Sequence, residues 1–288
     1  LIKMNIPDFY KIYTPITAQP FENSEEHTEI APCDALKPFI RCFWGSKKPY
    51  VKTGNNSRLI IPDTCMDIVF NIDYTDNRIS NRFCGIDDAS FISDYTERQG
   101  RFVSAFGIRF YPWSAIVFAE EDIRSVKNGF FDVGQYFPKL KKAIEPRLFD
   151  TVTIADRIKI AEDYLLKNLH SERLNMTVLT ALDMLIQRKG NVKIDFLARD
   201  LHISKRQLER LFREYMSIAP KCLSTLVRYQ CLWQETLFNR GFNFMDAVEK
   251  YGYTDQSHLL KEFRKYHSMT ITDAKTKALK DVAFLQDK

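Results

Sequence analysis

The sequence predicts an α+β chain of two domains. The N-terminal half is mostly an antiparallel β barrel or sandwich with helices. The C-terminal part is all-α, with two helix-turn-helix units joined by a linker helix. Three observations predict this. The 288 residues suffice for two domains of ordinary size. Near Thr153 the grain changes from short β-branched and aromatic runs to stripes of helical period. One short helical pattern is written twice, 51 residues apart. The chain is expected to divide into an N-terminal domain over 1–170 and a C-terminal domain over 171–288.

In the first half, "RLIIPDTCMDIVFNIDY" from Arg58 holds two β-branched runs broken by a Pro-Asp turn. "RFVSAFGIRFYPW" from Arg101 alternates apolar and other residues and stops at Pro112. Arg109 lies inside this apolar strand and needs a partner if buried. Asp67, itself in an apolar stretch, is the candidate. Phe43, Trp44, Tyr50, Phe110 and Trp113 either line a pocket or fill the core. Trp44, Asp67, Arg109 and Trp113 are the candidates for binding a ligand in such a pocket. The paired acids Asp87-Asp88 and Glu120-Glu121-Asp122 read as solvated turns.

Charge divides the chain in the same way. From Arg188 onward there are 19 Lys and Arg against 12 Asp and Glu, a net of +7. The preceding 187 residues hold 23 against 25, a net of −2. A basic third on a neutral body suits a polyanionic partner, or simply a solvated basic surface. Six cysteines, with no C-x-x-C and no zinc-finger spacing, read as reduced thiols. No apolar stretch reaches the ~18 residues of a membrane span. Lys3, Asp8 and Lys11 interrupt the place of a signal peptide, so a cytoplasmic address is expected. The chain opens on Leu1, with Met4 as another candidate start.

Thr153 is positioned to cap a helix whose stripe is Ile154, Ile158, Ala161 and Leu165. That helix is either a dimer seam or packs on its own sheet. A linker is expected around Leu169–Leu174. The next helix buries Val178, Leu182, Leu185 and Ile186, with Arg188 and Lys189 at its negative end and Gly190 as the left-handed residue after it.

The repeat begins with Ile194, Leu197, Ala198 and Leu201, a short amphipathic helix. After a tight His202-Ile203 turn, Ser204 and Gln207 form a capping box. Leu208, Leu211, Phe212 and Tyr215 make the apolar stripe of the second helix, and Lys205, Arg206, Arg210 and Arg213 lie elsewhere. The second copy runs through "MDAVEKYGY", an Asp255 cap and the stripe Leu259, Phe263 and Tyr266. Ser257, Lys261 and Arg264 occupy the places of Arg206, Arg210 and Arg213. Ser217 falls on Ser268. Between the copies, a helix from Ala219-Pro220 to Gly241 carries Leu223, Leu226, Gln230, Trp233 and Leu237 on one stripe. Its ~18 residues span roughly 27 Å, so the paired helices can meet successive major-groove segments about 34 Å apart.

These residues resemble the DNA-binding domain of AraC/XylS-type transcription regulators over the last ~115 positions. Leu197-Ala198, Ile203-Ser204, Leu208, Arg210 and Phe212 fit the family's first unit. Gly252-Tyr253-Thr254-Asp255-Gln256-Ser257-His258, followed by Phe263-Arg264, fits the hallmark of its second. Ser268 and Ile271 depart from the family's usual Gly and Pro, Ala274 from an aromatic and Val248 from Ala, so the end of the second unit is expected to be less firmly built. His202 stands for a common Gly, with a surface role. The resemblance implies base contacts by Arg206, Glu209, Arg210, Gln256, Ser257, Leu260 and Lys261. Lys205, Arg213 and Arg264 suit phosphates, and His258 a cap or packing role.

The resemblance also implies double-stranded DNA as partner, with RNA polymerase, a small-molecule effector bound by the N-terminal domain and a homodimer as further partners. No membrane contact, metal or other cofactor is expected, and activator or repressor action stays open. The sequence holds no nucleophile elbow, zincin motif, P-loop or Rossmann fingerprint, and no enzyme activity is expected. The alternatives are a DNA-repair or other enzyme fused to a helix-turn-helix domain, and a weakly specific architectural DNA binder.

Overall fold

A computed structural model describes residues 8–53, 57–94 and 98–286, the last six by backbone alone. Leu1, Lys3 and Met4 of the N-terminal reading lie outside the described residues. The chain order is α1 (Phe9–Ile12), β1 (Thr28–Ile30), β2 (Ile40–Gly45), β3 (Tyr50–Val51), β4 (Arg58–Ile60), β5 (Met66–Asp73), β6 (Arg78–Cys84), β7 (Phe91–Ser93), β8 (Phe102–Phe110), α2 (Ala115–Phe118), β9 (Phe130–Phe131), α3 (Val133–Tyr136), α4 (Pro138–Ile144) and α5 (Ile154–Lys167). The helical part follows as α6 (Met176–Gln187), α7 (Ile194–Asp200), α8 (Lys205–Met216), α9 (Pro220–Phe238), α10 (Phe244–Tyr251), α11 (Gln256–His267) and α12 (Ile271–Gln286). The two-domain α+β organisation is therefore present. No helix among the described residues is long and apolar enough to cross a membrane.

The strands form an antiparallel sheet ordered β1-β2-β8-β5-β6-β9, with β3 added to β8, and a separate β4-β7 ribbon. Strand side chains alternate between faces, and β5 and β8 show what this does. Ile68, Phe70, Ile72, Phe106, Ile108 and Phe110 are all buried in the core. Asp67, Val69, Asn71, Ala105 and Arg109 line a cavity on the other face. The register sets Asp67 directly opposite Arg109. The pair expected from two polar residues in apolar runs is thus a cross-strand neighbour pair.

Thr153 caps α5, accepting from Asp156 N–H at 3.2 Å. Its stripe Ile154, Ile158, Ala161 and Leu165 is buried, and the helix packs on β2 of its own chain. Packing on its own sheet, one of the two roles open for this helix, is present. Arg157, fully buried, ties it to the sheet and the preceding turn through Ser104, Tyr74 and the Thr151 carbonyl.

The helical half differs from the sequence reading in detail. α6 stops at Gln187, and Lys189 itself takes φ 51° before Gly190 at φ 75°. Tyr215 is only half-buried, and Met216 completes the α8 stripe instead. Ser268 adopts φ 57° although it is not glycine. α12, expected to lack a firm start, begins on a cap: Thr270 Oγ1 accepts from Asp273 N–H at 3.1 Å, and Ile271 is buried.

α9 is a strut shared by both halves. Its inner stripe buries Leu223, Leu226 and Leu232. Gln230, fully buried, accepts from Ile16 N–H at 2.9 Å and donates to the carbonyls of Ile16 and Pro62 at 3.2 and 2.8 Å. Trp233 Nε1 donates to Thr17 O at 3.1 Å and Gln234 Nε2 to Thr14 O at 2.8 Å. The extended segment before β1 is therefore laid along the linker helix by side chains that a helical stripe alone does not explain.

Candidate nucleic-acid interface and ligand cavity

The repeat extends to individual hydrogen bonds. His202 N–H bonds Arg199 O at 3.1 Å and Ile203 N–H bonds Ala198 O at 3.0 Å. Fifty residues on, Gly252 N–H bonds Glu249 O at 3.2 Å and Tyr253 N–H bonds Val248 O at 2.9 Å. Both His202 and Gly252 are left-handed, at φ 54° and 67°. This helix-ending geometry satisfies carbonyls that a helix C-terminus leaves open. Ser204 Oγ accepts from Gln207 N–H at 3.1 Å, and Asp255 Oδ1 from His258 N–H at 2.8 Å, so each second helix starts on a side-chain cap. His258 lies edge-on to Tyr253, with its Nδ1 3.4 Å from Thr254 N–H, in keeping with the cap or packing role.

On α8, Lys205, Arg206, Arg210 and Arg213 are exposed and Glu209 is half-buried. On α11, Gln256, Ser257, Leu260, Lys261 and Arg264 are exposed. Lys205 pairs with Asp195 at 3.2 Å and Arg210 with Glu214 at 3.0 Å. Both are exposed pairs of the kind worth little in water, so a phosphate or base edge can displace them. α11 is locked to α9 by the buried Arg228–Glu262 pair, and Tyr253 Oη, in the turn before α11, donates to the same Glu262 at 2.7 Å. His267 Nδ1 meets Tyr229 Oη at 2.8 Å, and burial pushes this imidazole down to about 3.

A basic cleft of ≈460 Å³ adjoins the second unit's turn at Gly252. Arg188, Lys193, Arg199 and Lys221 line it and are exposed. Sequence reasoning counted these charges in the basic excess without bringing them together. Their separation over 34 residues hides the cluster.

The N-terminal half holds a cavity of ≈190 Å³. Trp44, Asp67 and Arg109 meet there. Trp44 Nε1 donates to Asp67 Oδ1 at 2.7 Å, and Arg109 Nε to the same oxygen at 3.0 Å. A Cβ on Gly107 would fall 2.1 Å from the Trp44 indole, so glycine on β8 is what lets Trp44 lie against the sheet. Arg109 also reaches Glu29 at 3.3 Å and Asp63 at 3.4 Å. Tyr50 lines the cavity, whereas Phe43 and Phe110 are core.

Trp113 is a correction. It is 1% exposed, stacks on Tyr111 and donates to Pro38 O, and it does not line the cavity. The Pro112 that ends β8 turns the chain before Trp113 can follow the alternation of that strand.

Asp87, read as part of a solvated turn, lines the cavity instead. Burial, with Asp63, Asp67 and Asp88 nearby, pushes its carboxyl up to about 7. The folded protein therefore holds this proton more tightly than the unfolded chain does. The resulting destabilisation is absent below about pH 4, grows as pH rises toward 7 and is complete above it. Asp87→Asn removes it. The variant is expected to gain about 2–4 kcal/mol over the parent at pH 8 and to match it near pH 4. Thermal melting across that range checks this, and a constant difference at both ends contradicts it.

Residues 197–277 match the family described as a helix-turn-helix domain, and residues 28–132 match a domain of unknown function (DUF6597). The C-terminal region therefore holds a helix-turn-helix domain. Solved structures similar to this chain include a transcriptional regulator from Chromobacterium violaceum, described as an AraC-type DNA-binding domain-containing protein, 18% identical, covering 35% of this chain and 91% of that one at a TM-score of 0.33. The C-terminal domain of AraT, a response regulator from Geobacillus stearothermophilus, is 19% identical over 36% of this chain and 88% of its own, at 0.34. An apo variant of ToxT from Vibrio cholerae is 9% identical over 81% of this chain and 97% of its own, at 0.42. No curated sequence matches the chain.

Proposed function

We propose that the protein is a sequence-specific transcription regulator whose two helix-turn-helix units read successive major-groove segments of one duplex. Residues 171–288 form the reading domain and residues 1–170 a regulatory domain that answers to a small-molecule effector. The observation that carries the reading is the duplicated geometry of α8 and α11. Each starts on a side-chain cap, buries an apolar stripe and leaves its cations in solvent, and both pack on α9. The 19 residues of α9 span roughly 28 Å.

In this reading Arg206, Glu209 and Arg210 address base edges from the first unit. Gln256, Ser257, Leu260 and Lys261 do so from the second. Lys205, Arg213 and Arg264 hold phosphates, and the cleft cations Arg188, Lys193, Arg199 and Lys221 extend that grip. Arg pairs bidentately with guanine and Gln with adenine, so the two units carry different base preferences. Trp44, Asp67 and Arg109 form the effector cavity with Asp63 and Asp87. A cytoplasmic location, contact with RNA polymerase and a homodimer through the N-terminal domain belong to the same reading. No residue is given a catalytic role.

Arg210→Ala is expected to cost roughly 1–3 kcal/mol of binding and to relax preference at its own base pair. Lys205→Ala is expected to weaken all sequences alike and to lower the salt dependence by about one ion. Titrations of a selected duplex and a random one at several salt concentrations separate the two. Equal losses on both duplexes for Arg210→Ala contradict the base-reading role. A preference for the selected duplex below about tenfold leaves an architectural binder in its place.

A further inference from the structure

Residues 85–90 and 124–129 form a two-ply tab between the cavity and the helix-turn-helix units. Gly85 N–H bonds Gly129 O at 3.1 Å and Asn128 N–H bonds Ile86 O at 3.0 Å. Asn128 Oδ1 accepts from Asp88 N–H at 2.9 Å, and its Nδ2 donates to Asp88 Oδ1 at 2.8 Å. Lys127 pairs with Asp88. A Cβ on Gly85 would lie 1.8 Å from Val126 O, so the two plies are in backbone contact. The tab is a unit, and its parts cannot shift separately without breaking these bonds.

Its two sides face different things. Gly85, Asp87 and the following Phe91 line the cavity. On the other side, Ser90 Oγ lies 2.6 Å from Ser268 Oγ. Lys127 N–H donates to Ser217 Oγ at 2.9 Å, and Ser217 Oγ donates to Arg124 O at 3.1 Å. Cys222 Sγ sits 3.8 Å from Asp88 Oδ2.

Ser217 and Ser268 are the repeat-related residues 51 positions apart. Each caps the C-terminus of its unit's second helix, at φ 60° and 57°. Glycine adopts this backbone at less cost. What serine adds at both places is a hydroxyl, and both hydroxyls bond the tab.

We propose that this tab couples the cavity to both helix-turn-helix units at once. A molecule that displaces Asp87 or Phe91 shifts Asp88, Ser90 and Lys127 against the two serine caps and resets α8 relative to α11. The proposal rests on the regulatory reading of the N-terminal domain given above and names the path that regulation takes.

The test uses the full chain and a labelled duplex recovered by selection from random sequence. Affinity is measured at fixed salt for the parent, Asp87→Asn, the double variant Ser217→Gly/Ser268→Gly, and the triple variant. Glycine keeps the left-handed backbone and removes only the hydroxyls, and thermal melting verifies that each variant is folded. Ser90→Ala, which leaves both helix ends untouched, serves as a second way to cut the link at α11. Asp87→Asn is expected to shift affinity about fivefold or more in the parent and less than about 1.5-fold in the glycine background, with an intermediate shift beside Ser90→Ala. An equal shift in every background, or none in the parent, overturns the tab. If selection recovers no preferred duplex, the DNA-reading proposal fails and the tab falls with it.

Discussion

Arg109→Ala is expected to destabilise the N-terminal half by about 3–5 kcal/mol, because it strands buried carboxylates instead of removing one contact. The guanidinium lies within 3.4 Å of Asp67, Asp63 and Glu29. It is 11% exposed and they are 15–27% exposed. The attraction within such a cluster is largely offset by the cost of drying its members. Removing the cation alone leaves that cost without its compensation. The cost of the substitution should shrink in acid, where protonation neutralises the stranded carboxyls. Urea unfolding followed by near-ultraviolet circular dichroism measures it. A loss under about 1 kcal/mol at neutral pH contradicts the account of this cluster.

The largest expected effect on function comes from reversing one charge in each unit. Arg210→Glu with Lys261→Glu is expected to lower affinity for a selected duplex by about 10³-fold or more. Each lost base contact removes about 1–3 kcal/mol, and each new carboxylate meets the phosphate field with the wrong sign. Neither position is structural. Both are exposed, and Arg210 pairs with Glu214 one turn along its own helix. The variant should therefore melt as the parent does, so that lost binding is not lost fold. Either single reversal should spare preference at the other unit's segment. Retention of sequence preference by the double variant would move the reading surface elsewhere.

The helical half was legible because its cues are local. Caps at Ser204 and Asp255 sit at fixed offsets from their helices, and the stripes recur with the helical period. The Asp67–Arg109 pair was legible for a different reason. Two polar residues in apolar strands each required a partner, and antiparallel register supplied it. Trp113 went astray because a tryptophan beside a strand serves the core or a pocket equally well on pattern alone. Asp87 was missed because its burial depends on Asp63 and Asp67, which are distant in sequence. Gln230 was counted as one member of a stripe, and its three bonds to Ile16 and Pro62 have no local signal. Ser217 and Ser268 are visible as a matched pair, but their bonds to Ser90, Arg124 and Lys127 join segments that periodicity does not place.

The central claim is that α8 and α11 enter neighbouring grooves of one duplex. Hydroxyl-radical and methylation footprinting on a selected duplex tests it most directly. The account predicts two protected segments on one face, about one helical turn apart. Arg210→Glu should erase one segment and Lys261→Glu the other. A single protected segment, or one that both substitutions erase together, contradicts it.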